Sequence, residues 1–138
     1  MKLAIVDDNK LEQELIFNTL RTYEHERNIS LDISSYSDGN SFLNTYVPGD
    51  FDLIFMDIYL NELNGIDIVR KIRQMDSKVM IVFLTTSKEY IFEAAPFHFF
   101  DYILKPFEST QIFHVLDDAL ALLPEQEAEL SFEYRSFD

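Results

Sequence analysis

The sequence predicts an α/β protein: a parallel sheet with helices packed on both of its faces. Three observations carry this. Five short apolar runs alternate with five segments whose apolar residues recur three and four apart. Two of the runs, Leu53–Met56 and Val79–Leu84, hold no polar residue, as strands buried on both faces do. Strand–helix alternation of this kind closes into a parallel sheet through right-handed crossovers.

Taken in order, Lys2 to Val6 reads as the first strand and runs straight into Asp7-Asp8. Asn9 starts a helix, with Glu12 three residues on as its capping-box partner. Leu11, Leu15, Ile16, Leu20 and Tyr23 give that helix its inward stripe, through about Glu26. Ile29 to Tyr36 alternates Ile29, Leu31 and Ile33 and reads as a second strand, nearer an edge. Asp38 to Tyr46 is a short helix carrying Phe42, Leu43 and Tyr46, stopped by Pro48-Gly49. Phe51 to Asp57 is the central strand. After a polar turn at Asn61 to Asn64, Asn64 caps a helix that buries Ile66, Ile68, Val69 and Ile72.

Lys78 to Leu84 is the fourth strand and ends in Thr85-Thr86-Ser87. Thr86 with Glu89 caps a short helix carrying Tyr90, Ile91 and Ala94, and Pro96 ends it. Phe99 to Leu104 is the fifth strand, followed by Lys105-Pro106. The last helix runs from about Phe107 to Leu123, with Ile112, Phe113, Val115, Leu116, Leu120 and Leu123 inward. Residues 1–124 therefore form one domain. Residues 125–138 break the pattern and read as a linker or tail leading toward something further.

Composition narrows the function. With 47% apolar and 26% charged residues in 138, the chain is globular rather than disordered. No apolar run approaches the roughly 20 residues that cross a bilayer, and no secretion signal is present. Cytoplasmic residence is the expectation. The absence of cysteine excludes disulfides and thiolate metal sites. A net charge of −14 repels phosphate backbones, so this segment is not expected to bind nucleic acid itself.

The chemistry lies at the carboxyl ends of the strands, where ligands bind in open α/β sheets. Asp7 and Asp8 follow the first strand, Asp57 ends the third, Thr85 the fourth and Lys105 the fifth. Carboxylates gathered at one edge suit a hard divalent cation, and Mg²⁺ fits because it takes one or two carboxylates, keeps waters and then meets phosphate. A lysine and a hydroxyl opposite suit phosphoryl oxygens. A carboxylate can itself accept a phosphoryl group. Taken singly, each residue has a plain reading: helix caps for Asp7 and Asp8, a β-former for Thr85, a surface charge for Lys105. Together they point to a Mg²⁺-dependent phosphoaspartate site with Asp57 as nucleophile.

These residues give the chain its resemblance to bacterial response-regulator receiver domains, the CheY-like family of two-component signalling. The acid pair, the Asp some fifty residues on, Gly65, the strand-end Thr and Lys105-Pro106 carry the match, which covers residues 2 to about 123. The resemblance implies a flavodoxin-like (βα)₅ fold, a doubly wound five-stranded sheet in the order 2-1-3-4-5. It implies that Asp57 accepts phosphate from a sensor histidine kinase. It implies Mg²⁺ binding by Asp8, Asp57 and the Tyr59 backbone carbonyl, assisted by Asp7, and phosphoryl contacts from Thr85 and Lys105. Thr85 and Tyr102 match the switch residues, and the Lys105–Pro106 bond is expected to be cis.

The chain also departs from the family pattern. It lacks the usual proline at Asn61 or Glu62, carries Thr86 where a small residue is usual, and has a large Tyr59 beside the phosphate's path. The SKEYIFEA and FFDYILKPF stretches are similar to receivers joined to LytTR-type DNA-binding domains, which implies a transcription-regulating output domain as partner. The surface of the fourth helix, fifth strand and fifth helix is expected to change on phosphorylation. Phe97, Phe99 and Phe107 in or near it read either as core or as a contact for a second copy or an output domain. A degenerate receiver acting only as an interaction module is the rival reading. A turnover phosphatase would place its acids as Asp-x-Asp rather than adjacent, and three glycines without a glycine-rich loop argue against a nucleotide site.

Overall fold

The computed structural model of the protein describes residues 1–60 and 63–123. The elements are β1 (Lys2–Val6), α1 (Lys10–Arg27), β2 (Asp32–Tyr36), α2 (Gly39–Asn44), β3 (Leu53–Asp57), α3 (Gly65–Arg73), β4 (Met80–Thr85), α4 (Ile91–Ala94), β5 (Asp101–Leu104) and α5 (Ser109–Leu122). A 3₁₀ turn, Ala95–Phe97, joins α4 to β5. All strand pairs are parallel and the order is β2-β1-β3-β4-β5, as expected.

Side chains alternate across the pleat, so each apolar strand feeds two cores. Leu3, Ile5, Leu53, Phe55, Val82 and Leu84 pack on one face against Ile16, Leu20 and Tyr23 of α1 and Ile112, Val115 and Leu116 of α5. Ala4, Val6, Ile54, Met56, Ile81 and Phe83 pack on the other against Phe42 and the α3 residues Ile66, Ile68, Val69 and Ile72. That double demand is why β3 and β4 carry unbroken apolar runs. Burying each such side chain contributes about 2 kcal/mol.

Several local expectations are corrected. Leu11 and Leu15 are 76% and 50% exposed, while Gln13 is buried. The Gln13 amide donates to the Asp7 carbonyl at 2.5 Å, which turns α1 so that Gln13, Ile16, Leu20 and Tyr23 face inward. Strand β2 begins only at Asp32, because Asn28 ends α1 in the left-handed region (φ 54°) and Ile29 N–H closes back on Glu24. Helix α2 stops at Asn44, yet Tyr46 stays buried beyond it through a 2.6 Å bond from its hydroxyl to Asp76.

Thr86 does not cap α4. It is exposed, Ser87 Oγ accepts the Glu89 N–H, and the helix starts at Ile91. Phe97, Phe99 and Phe107 are half-buried at the margins of the two cores, whereas Phe92 on α4 is 90% exposed. The turn at Asn61–Glu62 and the tail at 125–138 lie outside the described residues.

Candidate functional site

Register brings the strand ends level. Val6 pairs with Met56, Asp57 with Leu84 and Thr85 with Leu104. Asp7, Asp57, Thr85 and Lys105 therefore share one edge of the sheet. Lys105 N–H donates to the Thr85 carbonyl at 2.7 Å, fastening the end of β5 to that of β4, and the Lys105–Pro106 peptide is cis.

The acids converge. One carboxylate oxygen from each of Asp7, Asp8 and Asp57 lies within 4.8 Å of the others. Asp7 and Asp57 are buried and Asp8 is half-buried. Lys105 Nζ sits 2.8 Å from Asp7 Oδ2, 3.6 Å from Asp57 Oδ2 and 3.8 Å from Glu12 Oε2.

Each ionisation follows from these distances. Asp57 stands raised to about 6, with burial the largest cause; Lys105 opposes the rise, Asp7 and Asp8 add to it, and the Tyr59 N–H, donating to Oδ1, lowers it. Burial also works against the Lys105 charge. The Asp7 hydrogen bond and the charges of Asp57, Asp7 and Glu12 outweigh it and hold the ammonium above the ordinary lysine range.

One further feature suits an anionic partner. Thr85 Oγ1 is fully buried and has no hydrogen-bond partner among the described residues. Buried hydroxyls are almost always paired, so this one is available to donate to a bound group. Gly65 opens α3 hard against the acid. A Cβ there would lie 2.0 Å from the Asp57 carbonyl oxygen, and Gly65 N–H donates to Ile58 at 2.8 Å. Glycine alone permits that approach. The acids and the orphan hydroxyl together fit a hard cation with a phosphoryl group.

Comparison with known proteins identifies the family. Residues 3–117 match the family described as response regulator receiver domain. The chain belongs to that family. It is the receiver domain of a two-component response regulator.

Protein MrkE of Klebsiella pneumoniae is 34% identical over 116 residues, 84% of this receiver and 42% of MrkE. The crystal structure of the MrkE response regulatory domain aligns with a TM-score of 0.77 at 32% identity, covering 91% of this chain and 99% of that one. Transcriptional regulatory protein YpdB of Escherichia coli K12 is 31% identical, over 92% of this chain and 50% of YpdB. Sensory transduction protein LytR of Staphylococcus saprophyticus is 30% identical, over 100% of this chain and 54% of LytR. The receiver spans about half the length of the curated relatives it matches.

The remaining site candidates lie at the rim. The Tyr102 hydroxyl donates to the Ser87 carbonyl at 2.5 Å, and its ring lies against Phe83 and Phe99. Tyr59 is 44% exposed, sets its ring edge-on to Tyr90 at 5.5 Å and donates to Glu89 at 3.4 Å. Sequence reasoning missed Glu12 and Gln13 as neighbours of the site. Glu12 carried only a capping signal. A buried glutamine one turn after a strand end is visible only once the helix is turned. No helix among the described residues is long and apolar enough to cross a membrane.

Proposed function

We propose that this receiver is a phosphorylation-dependent switch with Asp57 as phosphoacceptor. A carboxylate oxygen of Asp57 attacks the phosphorus of a kinase phosphohistidine. An O–P bond forms, the P–N bond breaks, and its electron pair leaves with the imidazole. Asp8, Asp57 and the Tyr59 carbonyl would hold Mg²⁺, with Asp7 assisting, and the ion supplies charge neutralisation for the transferred group. Lys105 neutralises phosphoryl oxygens from the other side, and the unpaired Thr85 hydroxyl donates to one of them. The approach of Lys105 to within 3.6 Å of Asp57, which converges with Asp7 and Asp8, is the observation that carries this reading.

Tyr102 and the face of α4, β5 and α5 follow Thr85 into a second arrangement, so phosphorylation biases a two-state element. That face is where a second copy or an output domain would dock. The name of YpdB, a transcriptional regulatory protein, supports a transcription-regulating output domain in the whole protein. The resemblance of SKEYIFEA and FFDYILKPF to LytTR-type regulators supports an output domain of that type, reached through residues 125–138, with the receiver working in the cytoplasm. Incubation with acetyl phosphate and Mg²⁺ is expected to add one phosphoryl group, labile to hydroxylamine, and none to Asp57→Asn. Unaltered labelling of that variant would remove Asp57 from the role.

A further inference from the structure

Asn9 and Glu12 stand at capping-box spacing, in which the glutamate ordinarily returns to the asparagine N–H. Here that N–H is already taken, because it donates to Asp7 Oδ1 at 2.9 Å. Asn9 still caps α1, its side-chain oxygen accepting from Leu11 and Glu12 N–H at 3.0 and 3.1 Å. The Glu12 carboxylate is left to turn toward the site, where Oε2 lies 3.8 Å from Lys105 Nζ. Lys105 is thereby bordered by carboxylates from three places: Asp7 after β1, Asp57 of β3 and Glu12 of α1. Lys105, Asp7 and Asp57 have side chains less than a tenth exposed, and Glu12 is 34% exposed. Glu12 is the outer wall of the ammonium's surroundings.

We infer that Glu12 is a positioning residue for Lys105, holding the ammonium from the solvent side so that it stays beside Asp57. The inner carboxylates have other partners. Asp7 already divides its oxygens between Asn9 N–H and Lys105, and it belongs to the cluster that suits a cation. A cation that drew on Asp7 would loosen its grip on the amine. Glu12 lies outside that cluster and would keep its hold. The inference deepens the phosphoacceptor reading and rests on it for the effect on phosphoryl transfer, but not for the hold on Lys105.

Glu12→Gln keeps the size and removes the charge. Glu14, exposed on the same helix and making no ion pair with Lys105, supplies the control Glu14→Gln. Hydrogen exchange of the Lys105 ammonium, followed by ¹⁵N NMR without phosphodonor, is expected to be about threefold faster in E12Q, the scale of a half-exposed ion pair. Phosphorylation of Asp57 by acetyl phosphate at saturating Mg²⁺ is expected to slow about threefold on the same scale. Neither rate changes in E14Q. Exchange or phosphorylation rates that match between the two variants overturn the assignment. A wild-type chain that takes up no phosphoryl group ends the phosphoacceptor reading, while the exchange rates still decide for or against Glu12.

Discussion

Asp57 is a carboxylate held where its ionisation is unfavourable. It stands at about 6 against an ordinary 3.8, because burial raises it, Lys105 recovers only part of the cost, and Asp7 and Asp8 add to it. The sign of the pH dependence follows. Between about 4 and 6 the folded chain holds a proton on Asp57 that the unfolded chain has already lost. Stability therefore falls as pH rises through that window, and the full cost stands above it. A rise of that size corresponds to about 3 kcal/mol. Asp57→Asn removes the cost, so urea denaturation without Mg²⁺ should show it more stable than wild type by up to about 3 kcal/mol at pH 7.5. The gain should vanish near pH 4. A variant no more stable at pH 7.5 would mean that Lys105 fully compensates Asp57. At this scale the sequence was legible wherever a residue's place follows from strand register. Asp7, Asp57, Thr85 and Lys105 are brought together by parallel pairing alone. Glu12 was not legible, because its partner depends on which group reaches the Asn9 N–H first.

Among the elements, those buried on both faces were the easiest to read. β3 and β4 have side chains in both cores, so their apolar runs are unbroken, and their shortness marks them as strands. Elements with one wet side were harder. In α1 a single polar contact, Gln13 to the Asp7 carbonyl, outweighed two leucines in choosing the inward face. In α4 the helix is one turn long, and its place is set from outside. Arg73 at the end of α3 donates to the carbonyls of Phe97 and His98 at 2.8 and 2.9 Å. It also donates to the Asp76 carbonyl at 3.3 Å. His98 sits at φ 57°, a conformation a non-glycine residue holds only when its surroundings compensate. The Arg73 guanidinium is that compensation, clipping the α4–β5 connection to α3. Arg73→Ala is expected to cost about 2 kcal/mol, the scale of losing hydrogen bonds from a charged donor. Hydrogen exchange should quicken at residues 95–100 well before it does in β1 or β3. Uniform protection loss across the sheet would place the effect in global stability instead.

For the whole molecule, the net charge of −14 acts in two separable ways. Spread over the surface, it repels itself, and any salt relieves that by screening within about 10 Å at 0.1 M. Concentrated in Asp7, Asp8 and Asp57, it is a local demand for a cation that Lys105 meets only in part. Diffuse charge responds to ionic strength alone, whereas a site responds to the identity of the ion. A ligand bound only by the folded state adds stability that grows with the logarithm of its concentration above the dissociation constant. Thermal melts at matched ionic strength in NaCl and MgCl₂ should therefore part. Both salts raise Tm, MgCl₂ raises it further, and the excess grows with Mg²⁺. In Asp8→Asn the two curves should coincide while both still rise, because the surface charge persists and the cation site does not. Equal Tm values in the two salts for the wild-type chain would assign all of its acidity to the surface and none to the pocket at Asp57.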